Sequence, residues 1–590
     1  MKKQDKKMAS WQAMKQLLPI IGRYRLLLFI SIILAAVSVI FQLYVPIIFG
    51  RAIDQIVGPG KVDFPAIGQD LVQILILVIV SAAATWLMGL INNKLTYRTV
   101  QDIREKAIRQ LQLLPLSYLD QHPSGDIVSR IIADTDQLSD GLLLGFSQLF
   151  SGLITIVATL AFMLSQSVEI TLLVLVLTPL SFIVASFIAS RSYQMFRKQS
   201  QTRGEQTSLI EEMVSGVKVV KAFGYEKTAS SRFAEINHRL QEYSQQATFY
   251  SSLTNPATRF INSLIYALVA LAGAFAIMGG RLTVGGLSVL LNYSNQYMKP
   301  FNDISSVITE LQNAAACAGR VFELINEEPE ADPVDLNKAD GDLSEVKTGS
   351  VVIDHVNFSY QADKPLIRDF NLNAKPGMRV ALVGPTGCGK TTTINLLMRF
   401  YDVDSGGIYL GGRNIKDMSR YALRKNFGMV LQDTWLEEGT VRDNLAYGKE
   451  DATDEEIIAA AKAAHSWGFI RRLPQGLDTP LSADSLSAGQ KQLLCITRVM
   501  LLDPPMLILD EATSSIDTRT EMLIQAAFDK LMQGRTSFVV AHRLSTVVNA
   551  DLILVMKDGQ IIERDKHADL LARGGFYSQL YRSQFAKLPS

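Results

Sequence analysis

The residues with the clearest chemistry are Gly384, Pro385, Thr386, Gly387, Cys388, Gly389, Lys390 and Thr391, a GxxxxGK[ST] run between the apolar stretch 380–383 and a helix-forming stretch that opens at Thr392. Glycines at that spacing let backbone N–H groups wrap phosphate oxygens at a helix N-terminus. Lys390 then neutralises the β- and γ-phosphates, and the Thr391 hydroxyl ligates Mg²⁺. Such a loop needs a carboxylate from the end of a neighbouring buried strand. The apolar residues 506–509 lead into Asp510 and Glu511, which are expected to hold the Mg²⁺ shell and to polarise the attacking water. Cys388 lies beside Lys390 and a helix N-terminus, surroundings that favour a thiolate. A plain filler role for it in the loop carries more weight.

Strands and helices must hold these groups together. From residue 350 onward, short β-branched stretches such as 379–383 and 506–509 alternate with amphipathic helices, the pattern of an α/β domain of about 240 residues. Before it, 326–349 is acidic and rich in Pro, Gly and Asp, as a linker is. The first half is different. Stretches 26–50, 71–93, 260–280 and 282–298 contain no charged residue, and 145–190 contains only Glu169. A bilayer span takes about 20 predominantly apolar residues, so six spans are expected, at about 26–50, 70–93, 145–165, 169–190, 255–280 and 282–305. The first is too long for a cleaved signal region. The expected domains are therefore 1–325, 326–349 and 350–590.

Basic residues flank one side of these spans: Lys2, Lys3, Arg23 and Arg25 before the first, Lys94, Arg98 and Arg104 after the second, Arg191, Arg197 and Lys198 after the fourth. This places the N-terminus and those loops in the cytoplasm, and the turns at 165–169 and 279–281 outside. The loops after spans two and four, each some fifty to sixty residues of helical pattern, would reach far beyond the bilayer and meet a docking surface.

Over the 590 residues, Lys+Arg number 58 and Asp+Glu 57, giving a net charge of +1 that offers nothing to a nucleic acid. With 48% hydrophobic residues the chain is not intrinsically disordered, and the 19% charged fraction is low for a soluble protein. Cys317, Cys388 and Cys495 are too scattered for a disulfide framework.

Ser487, Ala488, Gly489 and Gln490 open a further helix between the two nucleotide motifs, and this segment resembles the signature of ATP-binding-cassette (ABC) proteins, with Ala488 where glycine is usual. The other cassette features follow in order. Tyr360 is similar to the aromatic that stacks on adenine, and Gln432 to the glutamine of the loop joining nucleotide site and membrane domain, a Mg²⁺ ligand. Ser514 and Asp517 match the D-loop, and His542 the switch histidine. Residues 124–130 with Asp134, and 212–226, are similar to the two cytoplasmic loops of ABC exporters.

The resemblance, covering about residues 20–585, implies a multi-domain fold: an all-α six-helix transmembrane domain with long cytoplasmic helical extensions, followed by an α/β P-loop ATP-binding-cassette domain. It implies ATP and Mg²⁺ as cofactors, with Tyr360, the loop 384–391 and Thr392 around ATP, Thr391, Gln432 and Asp510 around Mg²⁺, and Glu511, His542 and Gln432 in catalysis. The family pairs two such half-transporters, with Ser487 and Gly489 of one chain meeting the ATP of the other. Ala488 and the short, glycine-poor stretch 481–484 are similar to one subunit of the heterodimeric exporters, so the expectation leans to a heterodimer over a homodimer.

The implied activity is ATP-driven export of hydrophobic or amphipathic compounds, drugs in the first place, across the cytoplasmic membrane. A lipid flippase of the same architecture and an ATP-gated regulatory membrane protein are the alternatives. No peptide-processing domain is expected before the first span. Nearly charge-free spans leave a strongly ionic cargo without a partner. Asn292, Tyr293, Asn295, Gln296 and Tyr297, with Phe41, Tyr44, Trp86 and Tyr266, could form an aromatic and amide surface for cargo, although interhelical packing explains most of them better.

Overall fold

The computed structural model describes residues 14–56, 62–332, 346–361, 363–432, 434–482, 485–510, 516–541 and 547–585. The chain divides into two units, Met1–Gln112 with Pro123–Glu327, and Leu113–His122 with Glu328–Ser590.

Among its described residues the first unit is mainly helical: Arg25–Asp54, Phe64–Leu113, Ser124–Ile131, Ala133–Leu144, Phe150–Gln166, Val168–Ser215, Val217–Ala222, Glu226–Met278 and Val284–Ile325. These helices cover most of each expected span, leaving 279–280 and 282–283 in the turn between Met278 and Val284 and 145–149 on a separate helical turn. Arg25–Asp54, Phe64–Leu113, Ser124–Gln166 and Glu226–Met278 are each long and apolar enough to cross a membrane, and Val168–Leu180 is a shorter apolar stretch. A helix satisfies its own backbone polar groups, which hydrocarbon cannot do. Phe64–Leu113, with 50 residues, and Glu226–Met278, with 53, are more than twice as long as a hydrocarbon core of ~30 Å requires.

Polar contacts gather at both ends of this bundle. At one end Arg281 pairs with Glu169 at 2.8 Å, and Asp54 accepts from the Gly285 amide at 2.7 Å, so the turns after the first, third and fifth expected spans meet there. At the other end Arg320 donates to Asp134 in bidentate fashion, its Nε at 2.7 Å from Oδ2, and also reaches Cys317 Sγ at 3.4 Å. Burial is the main cause that raises the Cys317 thiol pKa. Between the ends, the fully buried Asn92 accepts from Ser31 Oγ at 2.5 Å and donates to Ser147 Oγ at 3.1 Å. Ser147 lies on a π-helical turn, Gly145–Leu149, where a regular helix start was expected. Of the aromatic surface, Tyr293 is fully buried and donates to the Leu43 carbonyl at 2.6 Å, and Tyr297 is buried, whereas Tyr44, Trp86 and Tyr266 stay exposed.

The second unit is α/β. An antiparallel sheet joins β1 (Val351–Phe358), β2 (Ile367–Ala374), β4 (Ser405–Leu410) and β5 (Arg413–Asn414) in the order β2-β1-β4-β5. The main sheet contains β3 (Arg379–Val383), β6 (Phe427–Val430), β9 (Met506–Asp510), β10 (Thr536–Val540), β11 (Leu552–Lys557) and β12 (Gln560–Asp565), in the order β12-β11-β3-β10-β9-β6. Short β7 (Gly439–Thr440) and β8 (Pro480–Leu481) pair separately. Strands β11, β3, β10, β9 and β6 run parallel, and the central ones are apolar on both faces, as a parallel sheet covered by helices requires.

Two segments join this unit from outside the expected cassette limits. Glu330 and Asp332, read as linker, pair with Arg420 at 2.9 Å each. The helix Leu116–Gln121 lies in Leu113–His122, which the sequence reading assigns to the first domain, and its Asp120 accepts from the Tyr401 hydroxyl.

Candidate functional site

Strand β3 ends at Val383 and the chain turns at once into the loop 384–391 and the helix Lys390–Leu397. Gly387, at φ +82°, and Gly389, at φ +101°, adopt left-handed backbone that side chains disfavour. At Gly384 the reason is close approach: a Cβ would strike the Met556 carbonyl oxygen and lie 2.7 Å from Cys388 Sγ. Pro385, Thr386 and Gly387 form an exposed crest, while Cys388, Gly389 and Lys390 are buried behind it. Lys390 Nζ donates to the Gly384 and Pro385 carbonyls at 2.8 and 3.0 Å, which holds the cation inside the loop. Thr393 Oγ1 ties the first helical turn back to the Gly389 carbonyl at 3.0 Å.

Register brings the other groups to the same edge. Val540 of β10 pairs with Leu382 of β3 on one side and with Asp510 of β9 on the other, and Leu509 pairs with Val430 of β6. Four strands therefore end level, so the phosphate loop, Asp510 and Gln432 emerge along one edge within about 15 Å, three strand spacings. Crevices outside the carboxyl ends of parallel strands are where open α/β sheets bind ligands. Asp510 is buried, whereas Thr391 and Gln432 are exposed. A hydroxyl, a carboxylate and an amide oxygen are hard ligands that suit Mg²⁺, which takes one or two carboxylates and leaves its other positions to phosphate and water. Glu511, Ser514 and His542 lie outside the described residues. Their neighbours show where the chain leaves the sheet: Asp510 closes β9, and the Ala541 amide donates to the Leu382 carbonyl at 3.2 Å.

Tyr360 stands beside the phosphate-loop helix. Its hydroxyl donates to Thr392 Oγ1 at 3.3 Å and accepts from Asn395 Nδ2 at 3.2 Å, and its ring meets Phe358 and Tyr401 edge-on, both at 4.9 Å. The ring stays 45% exposed, so a face is available to a flat ligand. Sequence reasoning missed Tyr401, whose ring positions Tyr360 while its hydroxyl bonds Asp120. Burial first, and then that bond, hold its phenol well above the ordinary range. The aromatic pair at 400–401, directly after the phosphate-loop helix, was the available signal.

Ser487 caps the helix Ala488–Leu502, its Oγ accepting from the Gln490 amide at 3.3 Å, while Gln490 Oε1 accepts from the Ser487 amide at 3.0 Å. This capping box orders the helix N-terminus. Gly489 is buried, and a Cβ there would collide with the Thr520 side chain, so packing alone already demands glycine. Ala488 is exposed. Asp517 caps the helix Thr518–Met532 through the Thr520 amide at 2.9 Å, and that bond is the main cause lowering its carboxyl pKa. Cys388 supports the filler reading over the thiolate: it is 3% exposed, and burial raises its thiol pKa against the opposing pull of Lys390.

Residues 28–301 match the model of the ABC transporter transmembrane region, and residues 367–514 match the ABC transporter model. The chain belongs to the ABC transporter family. It is 43% identical to a Mycobacterium bovis fatty acid ABC transporter ATP-binding/permease protein, over 89% of this chain and 83% of that one. It is 34% identical to a Staphylococcus aureus protein provisionally named a multidrug export ATP-binding/permease protein, over 97% and 99%. A solved bacterial Atm1-family ABC exporter with ATP bound superposes with a TM-score of 0.76 at 26% identity, covering 97% of this chain and 99% of that one. This ABC transporter chain thus joins an N-terminal helical transmembrane domain to a C-terminal ATP-binding cassette in the manner of an exporter half.

Proposed function

We propose that the protein exports hydrophobic or amphipathic molecules across the cytoplasmic membrane, driven by ATP hydrolysis in a dimer of half-transporters. The observation that carries this reading is the level ending of β3, β9 and β6, which lines up the phosphate loop, Asp510 and Gln432 along one sheet edge of a chain that also holds membrane-length apolar helices. In this reading the loop 384–391 and Thr392 hold the phosphates and Tyr360 packs on the adenine. Bound Mg²⁺ supplies charge neutralisation between phosphate oxygens. Glu511 takes up a proton from the attacking water, with Gln432 and His542 orienting the reacting groups.

Ser487, Ala488, Gly489 and Gln490 face the partner's ATP with a helix N-terminus, whose positive dipole suits the phosphates, and Ser514 and Asp517 lie at the same interface. Closure of two cassettes over ATP then turns the membrane domains outward, and hydrolysis resets them. The domains are 1–325, 326–349 and 350–590, the protein is multi-pass, and its N-terminus and cassette are cytoplasmic. A heterodimer is favoured by Ala488 and the short 481–484 stretch. Cargo of the lipid class fits the fatty acid relative, and cargo of the drug class the staphylococcal one.

The test is purification from native membranes followed by ATPase and transport assays in proteoliposomes. Co-purification of a different half-transporter supports the heterodimer. ATP hydrolysis that no hydrophobic or amphipathic compound stimulates, with no compound moved, sinks the exporter reading and favours an ATP-gated regulator.

A further inference from the structure

A free linker at 326–349 would transmit little. From Ile325 to Ser350 is 25 residue steps, up to about 80–90 Å when extended, so either end could move without the other. The structure shortens that tether. Glu330 and Asp332 are fixed on the α/β unit only five and seven residues after the helix Val284–Ile325 ends, which leaves at most about 16–18 Å of chain ahead of Glu330.

Arg420, with its side chain 10% exposed, does the fixing. Its Nε lies 2.9 Å from Glu330 Oε1, and Nη1 donates to the Ala331 carbonyl and, at 2.9 Å, to Asp332 Oδ1. Its backbone amide also donates to Asp332 Oδ1, at 3.2 Å. A second long helix ends on the same strap: the Glu330 amide donates to the carbonyl of Leu113, the last residue of Phe64–Leu113, at 2.7 Å, and Gln110 Nε2 donates to the Glu327 carbonyl at 2.6 Å.

On its other side the cluster meets the phosphate-loop helix, Lys390–Leu397. Arg424 lies 3.6 Å from Glu330 Oε2 and donates to the Met398 and Arg399 carbonyls, just past that helix, at 3.3 and 3.2 Å. Asp402 accepts from Arg420 at 3.4 Å and from Arg399 at 2.9 Å. Arg399 is buried in left-handed backbone, φ +49°, a conformation that persists where the surroundings hold it. Three carboxylates thus meet three guanidinium groups. Withdrawing one partner leaves a charge uncompensated, so such a cluster holds or releases as a unit.

We propose that Glu330 and Asp332 form a clasp with Arg420 that turns the linker into a short tether, passing displacement of the phosphate-loop helix to the ends of Phe64–Leu113 and Val284–Ile325. The clasp touches no nucleotide and acts by position. The proposal rests on the exporter reading above and names a route for its conformational coupling, which is a route only if severing it changes the coupling. A merely stabilising cluster would be indifferent to where slack is added along the linker.

The test uses the full-length dimer in lipid nanodiscs and reads hydrogen exchange by mass spectrometry at 279–286, at the end of the bundle expected outside, with and without ATP, Mg²⁺ and vanadate. The unaltered protein should exchange faster there when trapped, because that end opens. An insert of about eight Gly and Ser residues adds roughly 14–17 Å. Placed between Glu328 and Pro329, ahead of the clasp, it should abolish the trapped-state change; placed between Asn337 and Lys338, beyond the clasp, it should leave the change intact. Glu330→Gln combined with Asp332→Asn should lose the change without any insert, while binding of a fluorescent nucleotide stays within about threefold and basal ATP turnover persists.

Equal effects of the two inserts overturn the proposal, and so does a trapped-state change that survives the insert ahead of the clasp. The comparison of inserts decides the matter even where the double variant does not fold. Absence of any change in the unaltered protein, with ATP turnover present, removes the exporter reading and the clasp with it.

Discussion

Replacing Gly384 and Gly387 by alanine, one at a time, separates two reasons for glycine in the phosphate loop. At Gly387 an added Cβ finds nothing within 4 Å, so Gly387→Ala meets only the torsional penalty of φ +82°. That penalty is about 1–2 kcal/mol, partly offset by about 0.4–1 kcal/mol from a stiffer unfolded chain. At Gly384 the Cβ runs into the carbonyl oxygen of Met556, by more than about 1 Å relative to a normal contact of ~3.5 Å. Met556 belongs to β11, which pairs with β3 through Val555 and Val383 beside it, so the oxygen cannot yield without opening the sheet.

The loop must move instead, by about 1 Å, and misplacement of that size costs on the order of 10²-fold in a positioned site. Gly384→Ala should therefore weaken ATP binding about a hundredfold, and Gly387→Ala by no more than about tenfold. Competition of ATP against a fluorescent nucleotide on the full-length protein in detergent measures both, with a thermal melt to exclude global unfolding. Binding by Gly384→Ala within about threefold of the unaltered protein would falsify the steric argument.

Three further outcomes are expected. Glu511→Gln should bind ATP normally and lose most turnover, and substantial residual hydrolysis in the assembled dimer counts against Glu511 as the group that activates water. Tyr360→Ala should lose a base stack of about 1–3 kcal/mol, seen as a KM for ATP raised about tenfold or more with kcat nearly unchanged; a fall in kcat alone assigns Tyr360 another role. Because burial raises its thiol pKa, Cys388 is protonated at neutral pH and should alkylate more slowly than free cysteine, faster as pH rises above the ordinary thiol range. Mass spectrometry of iodoacetamide-treated protein reads the rate, and labelling at pH 7 as rapid as that of free cysteine contradicts the burial argument.

Features carried by contiguous residues were open to reading without a fold. The run 384–391 declares a phosphate site because its strand, glycines, lysine and helix follow one another along the chain. The membrane helices declare themselves because hydrocarbon permits so few alternatives to a run of apolar helix. Other features looked the same before and after folding only in part. Asp517 and Gly489 stand in cassette motifs, yet one is held as a helix cap and the other is required by Thr520, contacts that motif order does not reveal.

The amino-acid sequence by itself therefore determined that this chain joins a membrane part to a nucleotide-binding part, and which short segments carry the chemistry. Tertiary structure decided what those segments meet. Strand order β3-β10-β9-β6, which no local pattern encodes, lines up residues 384–391, 510 and 432 along one edge. The approach of Tyr401 to Tyr360 and of Asp120 to Tyr401 joins positions 41 and 281 residues apart. The physical reason is common to all of these: propensity and hydrophobic pattern act between neighbours in the chain, whereas pairing and burial act between whichever surfaces the completed fold brings together.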